Sequence, residues 1–385
     1  MSKFIPLSEP YLDKFDINSV AKVIKNNWVS SAGKEINEFE GLVSAYTKSK
    51  YTVACINGTS ALHISLKIAG VKKNDEVIVP TLTFIAPINA IAYNNANPIF
   101  MDSDKYYNID TDKTISFIKK NTKLIKGFSY NKKTNKRISA IIIVHVWGNA
   151  ANIQPLISLC RKKNIKVIED ATESLGTFYK DFNKKRHTGT IGDLGCLSFN
   201  GNKVITTGGG GMIITNNYKF AKKAKYFINQ AKDDSILFRH DNIGYNYRLT
   251  NLQAALGISQ IKKLKKILLK KKEINKIYKT YLSDTLQVKI FQNPSYSHNN
   301  YWINVIQFKK NLNLKRIVNH FEKNNIQVRP IWKLNHTQKI FKSCQKYKIQ
   351  NADVLVKNSL CIPSSYNLKK KDIFKIIKCI KEFFE

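Results

Sequence analysis

The sequence has few of the features that mark membrane, secreted or disordered proteins. No uninterrupted apolar run approaches the roughly 20 residues that a membrane helix requires, and the first residues show no apolar core of a signal peptide. Only 9 of the 385 residues are Pro and 17 are Gly, while 43% are hydrophobic, which argues against disorder. We therefore expect a cytoplasmic protein that does not insert into a membrane. A chain of this length favours two domains over one.

The cysteines are isolated from one another, which argues against a zinc-binding protein and against a disulfide-stabilised one. They show neither a Cys-x-x-Cys pair nor the Cys and His spacing of a zinc site. The six are Cys55, Cys160, Cys196, Cys344, Cys361 and Cys379. We expect reduced, buried thiols, and we predict no bound metal and no disulfide framework.

Acidic residues are scarce relative to basic ones. The chain has 64 Lys and Arg against 27 Asp and Glu, a formal charge of +37. Such an excess can indicate binding to nucleic acid or to a membrane surface. The lysines are nevertheless spread over the whole length without a helix-turn-helix, zinc-finger or RNA-binding pattern, so we predict no nucleic-acid partner. The densest run, residues 262–272, keeps apolar residues at helical spacing and predicts a solvent-exposed helix.

Strand-like and helical patterns alternate in the first part of the chain. The apolar runs cover residues 51–55, 76–80, 98–101, 140–144 and 165–168. Helical patterns follow several of them, starting near residues 59, 84 and 153. This alternation predicts an α/β fold with a mainly parallel sheet and helices on both faces. In such sheets a ligand binds beyond the carboxyl ends of the strands.

The pattern changes after about residue 249. A long helical segment at 251–281 comes first. Short strand-like runs follow it at 288–291, 304–308 and 327–328. We therefore predict a large α/β domain over residues 1–249 and a smaller α+β domain over residues 250–385. The polar insertion at 129–136 is interpreted as an exposed loop.

Two residues at the ends of apolar runs suggest a cofactor. Asp170 closes one run, and Lys203 follows another and precedes the glycines at 208–211. In pyridoxal phosphate enzymes a lysine forms a Schiff base with the cofactor, and a carboxylate keeps the pyridine nitrogen protonated so that the ring accepts electrons. Each residue alone has an ordinary interpretation, as a surface lysine and as a helix N-cap. Their shared context favours the cofactor.

A phosphate site is predicted at the start of the helix after the first strand. Gly58, Thr59 and Ser60 place a glycine and two hydroxyls where free N–H groups and the helix dipole favour an anion, although hydroxyls there are also ordinary caps. Ser198 follows another apolar run and could add a hydroxyl. Phe84 could stack on a flat ring, or simply pack in the core.

The chain resembles the sugar aminotransferases of the DegT/DnrJ/EryC1/StrS group over nearly its whole length. The motifs that carry the resemblance are residues 27–34 (NWVSSAGK), 75–80 (DEVIVP), 169–171 (EDA), 244–249 (GYNYRL) and 253–257 (QAALG). The resemblance implies the aspartate aminotransferase fold type I, with a mainly parallel, seven-stranded type of sheet in the large domain. Residues 171–177, 198–211 and 328–336 look most like the LegC-type branch.

The resemblance also implies roles for individual residues. Lys203 would be the Schiff-base lysine, Asp170 the partner of the pyridine nitrogen and Glu173 a neighbour of the ring hydroxyl. The phosphate would be held by Gly58, Thr59, Ser60 and Ser198, with Phe84 against the ring. Asn246 would reach the phosphate of a neighbouring subunit, which implies a homodimer with shared active sites. Arg329 and His336 are candidates for holding the substrate, with structural salt bridges as the alternative.

The implied reaction moves the amino group of L-glutamate to a nucleotide sugar. By the LegC-type likeness, the acceptor would be a UDP-linked 4-keto-6-deoxy-N-acetylhexosamine on a route to legionaminic acid, bacillosamine or a similar surface-glycan sugar. A GDP-linked 4-keto sugar leading to perosamine, or a 3-keto sugar, is the alternative acceptor. Sugar dehydratases of the same group replace the lysine by histidine, so Lys203 counts against them. A regulator that binds nucleic acid would need a reader motif that the sequence does not show.

Overall fold

The computed structural model describes residues 3–181, 184–234, 236–283, 285–309 and 313–384. The strands are β1 (Tyr51–Cys55), β2 (Glu76–Pro80), β3 (Asn97–Met101), β4 (Thr122–Ile125), β5 (Phe128–Asn131), β6 (Ile138–Val144), β7 (Lys166–Asp170), β8 (Phe178–Asp181), β9 (Lys184–His187), β10 (Leu194–Ser198), β11 (Gly211–Thr215), β12 (Val288–Ile290), β13 (Ser297–His298), β14 (Asn304–Phe308), β15 (Arg329–Pro330), β16 (Lys346–Tyr347) and β17 (Ser359–Ile362). The helices are α1 (Lys14–Lys25), α2 (Lys34–Thr47), α3 (Gly58–Ile68), α4 (Ala86–Tyr93), α5 (Thr111–Asn121), α6 (Gln154–Lys162), α7 (Tyr218–Ile228), α8 (Asn251–Leu282), α9 (Leu314–Lys323), α10 (Asn351–Asn358) and α11 (Lys370–Glu382). None of the helices in these ranges stays apolar over a length that could cross a bilayer.

One large sheet organises the first part of the chain. Its strand order is β1-β11-β10-β7-β6-β2-β3-β16. Strand β11 runs antiparallel to both of its neighbours, and the other neighbouring strands pair in parallel. The predicted α/β fold with a mainly parallel sheet is confirmed. The sheet has eight strands instead of seven, because the short β16 from the C-terminal part pairs with β3.

The central strands are apolar throughout because helices cover both faces of the sheet. Every residue of β2 and of β6 is buried. Helix α3 packs against β10 and β11, and α6 packs against β7. Continuous apolar runs of this kind are typical of parallel strands that never face water. The strands β1, β7 and β10 run in the same direction, so their carboxyl ends meet at one edge of the sheet.

The C-terminal part forms a second core around a sheet of order β12-β14-β17-β15. Its strands pair antiparallel, and α11 packs against α8 beside them. Ile5, near the start of the chain, pairs with Ile326 and is buried in this same core. Because Ile5 and β16 each pack across the division, the boundary between residues 249 and 250 stays a prediction.

Two local predictions are wrong. Residues 129–136 do not form a simple exposed loop, because β5 pairs with β4 and the side chains of Ser129 and Asn131 are fully buried. Asn131 donates to Glu76 at 2.7 Å, so the insertion is tied to the start of β2 in the large sheet. The short strand expected at 327–328 lies instead at Arg329–Pro330.

The lysine-rich run at 262–272 is helical as predicted, but it is not solvated throughout. Lys263 forms ion pairs with Asp13, at 3.0 Å, and with Asp16. Lys271 is only 4% exposed. Local spacing did not reveal these two positions because their partners lie far away in the sequence.

Candidate active site

A cavity of about 300 Å³ opens at the edge of the large sheet where the carboxyl ends of β1, β7 and β10 meet. Six of the predicted site residues line it: Gly58, Thr59, Phe84, Glu173, Ser198 and Lys203. Each follows or ends a strand, or begins a helix, at this edge. The edge rule for parallel sheets therefore accounts for their convergence.

The start of α3 forms one end of this cavity. The Asn57 side chain caps the helix by accepting from the Ser60 N–H at 2.7 Å. The N–H groups of Gly58 and Thr59 have no intrahelical partner at this position and carry the positive end of the helix dipole. A Cβ at Gly58 would lie 2.9 Å from Thr172 Cγ2 and 3.0 Å from Ser198 Cβ. Glycine therefore keeps open a space beside two hydroxyl-bearing side chains.

Lys203 and Glu173 form an ion pair inside the cavity. Lys203 Nζ lies 3.7 Å from Glu173 Oε1 and 4.1 Å from the centre of the Trp302 ring. Burial lowers the pKa of Lys203, while the charges of Glu173 and Asp170 act in the opposite direction. Burial also raises the pKa of Glu173 to about 7. Both groups can therefore exchange protons closer to neutral pH than they would in water.

Asp170 lies at the end of β7, next to this pair. Its carboxylate accepts from the Thr172 N–H at 3.1 Å. Burial raises the pKa of Asp170, and hydrogen bonds from Thr172 and the charge of Lys203 partly offset the rise. The two residues are thus close enough for their charges to interact. This arrangement is what a single heterocycle bridging them would need.

The two histidines near the sheet make structural hydrogen bonds. His145 Nδ1 accepts from the Ala151 N–H at 3.1 Å, so Nε2 donates to Glu169 at 2.9 Å. His187 Nε2 accepts from the Gly176 N–H at 2.9 Å, and burial lowers the pKa of His187 to about 4. Both rings already have partners away from the cavity.

Besides Asp170, four predicted site residues lie outside the cavity lining. Ser60 is buried in the first turn of α3, and Asn246 is exposed on the loop before α8. Arg329 is exposed on β15. His336 bonds to Thr81 Oγ1 through Nδ1 at 2.7 Å, just beyond the end of β2. Within one chain these residues do not join the Lys203 cluster, and their roles stay predictions.

Sequence reasoning missed part of the cavity wall. The missed residues include Asn57, Thr172, Asn200, Asn202, Trp302 and Trp332. Asn57 could have been found, because it is a standard N-cap before α3. Trp302 and Trp332 carry no local signal, since they reach the cavity from segments about 100 residues or more beyond Lys203.

The residue set fits pyridoxal phosphate. The start of α3, with the hydroxyls of Thr59 and Ser198, would hold the phosphate, and the space that Gly58 keeps open gives it room. Lys203 supplies an amine inside the cavity. Asp170 supplies a buried carboxylate, and Phe84 and Trp332, with ring centres 6.2 Å apart, supply aromatic surface for a flat ring.

Comparison with known proteins gives the same assignment. The sequence profile of the DegT/DnrJ/EryC1/StrS aminotransferase family matches residues 10–381. The chain is 34% identical to a GDP-perosamine synthase of Escherichia coli O157:H7, over 99% of both chains. It is 32% identical to a GDP-perosamine synthase of Vibrio cholerae, also over 99% of both. In fold it is similar to Helicobacter pylori PseC, an aminotransferase of pseudaminic acid biosynthesis, with a TM-score of 0.88, 24% identity and 99% of both chains covered.

Proposed function

We propose that this chain, which belongs to the DegT/DnrJ/EryC1/StrS aminotransferase family, transfers the amino group of L-glutamate to the keto carbon of a nucleotide-linked 4-keto-6-deoxyhexose. It is a pyridoxal phosphate-dependent aminotransferase that acts on nucleotide sugars. The observation that carries the proposal is the position of Lys203. Its amine lies in a cavity beside Glu173, 3.7 Å away, and the same cavity contains the start of α3.

Cofactor binding is assigned to the residues that line the cavity. In this proposal the N–H groups of Gly58 and Thr59, with the hydroxyls of Thr59 and Ser198, bind the phosphate. Phe84 covers one face of the ring. Glu173, whose pKa is about 7, hydrogen-bonds the ring hydroxyl either as carboxylate or as acid.

Lys203 and Asp170 have the two roles that require a titratable group. When bound, pyridoxal phosphate supplies an electron-withdrawing ring that stabilises negative charge at the donor's alpha carbon. Asp170 would hold the proton on the pyridine nitrogen. Lys203 Nζ would take the proton from the donor's alpha carbon, because burial lowers its pKa and so increases the fraction of free amine near neutral pH.

A second copy of the chain would complete the site. Asn246 is exposed and lies outside the cavity of its own chain. The loop before α8 also exposes several large apolar side chains, among them Ile236, Leu237 and Ile243, each at least 78% exposed. An apolar surface of this kind favours burial against another protein. We therefore propose a homodimer in which Asn246 of each subunit reaches the phosphate end of the other subunit's cavity.

Two acceptors compete within this proposal. The LegC-type likeness of residues 171–177 and 328–336 favours a UDP-linked 4-keto-6-deoxy-N-acetylhexosamine, for legionaminic acid or bacillosamine-type glycans. The two GDP-perosamine synthases at 34% and 32% identity favour GDP-4-keto-6-deoxymannose. Incubation with L-glutamate and a panel of UDP- and GDP-linked 4-keto sugars, with mass spectrometry and NMR of the products, separates the two. Transfer to GDP-linked sugars alone would contradict the UDP-linked acceptor and leave the transaminase intact.

Absorbance tests the enzyme proposal itself. Protein supplied with pyridoxal phosphate should show a visible band that L-glutamate bleaches. Lys203→Ala should lack the band and lose at least about 10⁴-fold in activity, because it removes both the covalent attachment and the base. Lys222→Ala, an exposed lysine on α7, is the matched control and should behave like wild type. A wild-type protein that binds no cofactor would contradict the proposal.

A further inference from the structure

Lys271 on α8 is a buried lysine whose charge is not matched by a carboxylate among the described residues. Its side chain is only 4% exposed. Its ammonium donates to two backbone carbonyls, Ser364 at 2.8 Å and Trp302 at 3.2 Å. Burial lowers the pKa of Lys271 to about 7. Two neutral acceptors are weak compensation for removing a cation from water.

An apolar side chain of similar length would avoid this desolvation. Buried charges are often less favourable for stability than well-packed apolar groups of the same volume. Stability alone therefore does not explain a lysine at this position. The two backbone carbonyls that Lys271 binds indicate what else it does. Trp302 lies just before β14 and Ser364 just after β17, two neighbouring strands of the C-terminal sheet. The ammonium joins the two segments where they enter and leave that sheet.

Trp302 links this junction to the cavity. The Trp302 carbonyl accepts from Lys271, and the Trp302 N–H donates to Asn300 Oδ1 at 2.9 Å. Its indole Nε1 donates to the Asn202 carbonyl at 2.7 Å. The face of the ring lies 4.1 Å from Lys203 Nζ. The placement of this ring against Lys203 therefore depends on contacts of the Trp302 backbone and on the hydrogen bond of its indole.

The segment that carries Trp302 is also strained. Tyr301 has φ of +53°, in the left-handed region that a tyrosine rarely adopts. Asn300 fixes the other side of the segment by donating to the Glu173 carbonyl at 2.8 Å and the Leu175 carbonyl at 3.0 Å. A strained backbone persists only where surrounding contacts hold it. Lys271 supplies one of those contacts from the C-terminal side.

We propose that Lys271 is a positioning residue that holds the Trp302 backbone so that the indole face stays over the Lys203 nitrogen and stabilises its positive charge. The inference rests on the proposed function, in which Lys203 carries the cofactor. A cation over the face of a tryptophan is stabilised by the electrostatics of the ring, and more strongly where water is excluded. Glu173 and Asp170 are the carboxylates whose charges also raise the pKa of Lys203.

The test compares Lys271→Met and Lys271→Gln with Lys272→Met, an exposed neighbour on the same helix, as the matched control. The readout is the pH midpoint of the visible band of cofactor-loaded protein, measured without donor or acceptor. Lys271→Met should lower the midpoint by about one pH unit, because the ring no longer stays over the nitrogen. Lys271→Gln, which keeps an N–H donor, should lower it less, and the control should not change it. Lys271→Gln serves alone if Lys271→Met does not fold.

Two further measurements separate positioning from a general effect on stability. In cofactor-free protein, Lys271→Met should speed hydrogen exchange in the peptide spanning residues 299–305. In a Trp302→Leu background, Lys271→Met should cause no additional shift of the midpoint. An unchanged midpoint in both Lys271 variants, or a shift that persists undiminished without Trp302, would overturn the inference. A wild-type protein with no visible band would instead remove the proposed function and this inference with it.

Discussion

Two neighbouring carboxylates at the end of β7 show how one strand can serve the scaffold on one face and the cavity on the other. Glu169 is completely enclosed. It accepts from His145 Nε2 at 2.9 Å and from the N–H groups of Gly189 at 2.7 Å, Ile191 at 2.6 Å and Gly192 at 2.6 Å. Asp170, one residue on, points to the opposite face because side chains alternate along a strand. Its carboxylate accepts from Thr172.

The pKa values of the two carboxyl groups move in opposite directions. Burial acts to raise both. For Glu169 the hydrogen bonds from His145 and the backbone overcome burial and hold the pKa below its ordinary value. For Asp170 burial prevails and the pKa is raised. A carboxylate with its acceptor sites filled belongs to the scaffold, whereas one with few partners next to a cavity can still bond to a ligand.

The largest effect is expected from replacing Glu169, the carboxylate whose hydrogen-bond acceptor sites are filled. Glu169→Gln removes the charge and turns an N–H₂ group toward N–H donors, so the free energy of unfolding should fall by about 3–5 kcal/mol. Urea unfolding of the cofactor-free protein measures it. Glu273→Gln is the control, because Glu273 is 45% exposed at its side chain and pairs with Lys270 on the surface, where a loss below about 1 kcal/mol is expected. Equal losses in the two variants would contradict the scaffold role of Glu169.

The second prediction concerns the cavity side of the same strand. Asp170→Asn should reduce kcat/KM by about 10²–10³-fold, because the amide cannot stabilise a protonated ring nitrogen. The free energy of unfolding should change much less than in Glu169→Gln. Asp112→Asn, an exposed carboxylate in the first turn of α5, should leave kcat/KM unchanged. An Asp170→Asn enzyme with full activity would show that the two faces do not differ in the way proposed.

Several elements of the fold could be predicted from the sequence. The bounds of β1, β2 and β14 were predicted to the residue, because each is a short apolar run bounded by polar or turn residues. The insertion at 129–136 was misjudged because its burial depends on distant partners. Ser129 Oγ donates to the Lys163 carbonyl at 2.6 Å, a contact that no local pattern reveals.

The site could be anticipated only where it lies at strand ends. Lys203, Glu173 and Gly58 follow strands that the alternating pattern predicts to be parallel, so their carboxyl ends share one edge, and the three residues line one cavity. Trp302 and Lys271 come from the C-terminal part, and their contacts depend on how that part packs against the large sheet. Hydrophobic periodicity identifies a buried face, but it does not identify what the face meets. The hydrogen bonds that fill the carboxylate of Glu169 could not be predicted for the same reason, since their donors are 20 or more positions away in the sequence.

A third, smaller effect should appear in the pH dependence of stability. Burial raises the pKa of Glu173 from 4.5 to about 7, so the folded state binds a proton there more tightly than the unfolded state does. Its contribution to stability is complete below about pH 4.5 and is lost as the pH rises through 7. Between pH 4.5 and 7.5 the free energy of unfolding of cofactor-free wild type should therefore fall by up to about 3 kcal/mol more than that of Glu173→Gln. Glu38→Gln, an exposed control, should follow wild type.

The smallest predicted change tests whether the cavity side is built around space for a ligand. In Gly58→Ala the new Cβ would lie 2.9 Å from Thr172 Cγ2 and 3.0 Å from Ser198 Cβ, closer than a methyl group tolerates. The neighbours must move into the phosphate end, so the Kd for pyridoxal phosphate should rise about tenfold while the fold is kept. Gly41→Ala is the matched control, since its Cβ meets nothing within 4 Å in the middle of α2. It should leave the Kd unchanged and add about 0.5–1 kcal/mol of stability through helix propensity. Unchanged affinity in Gly58→Ala would mean that the start of α3 does not bind the phosphate.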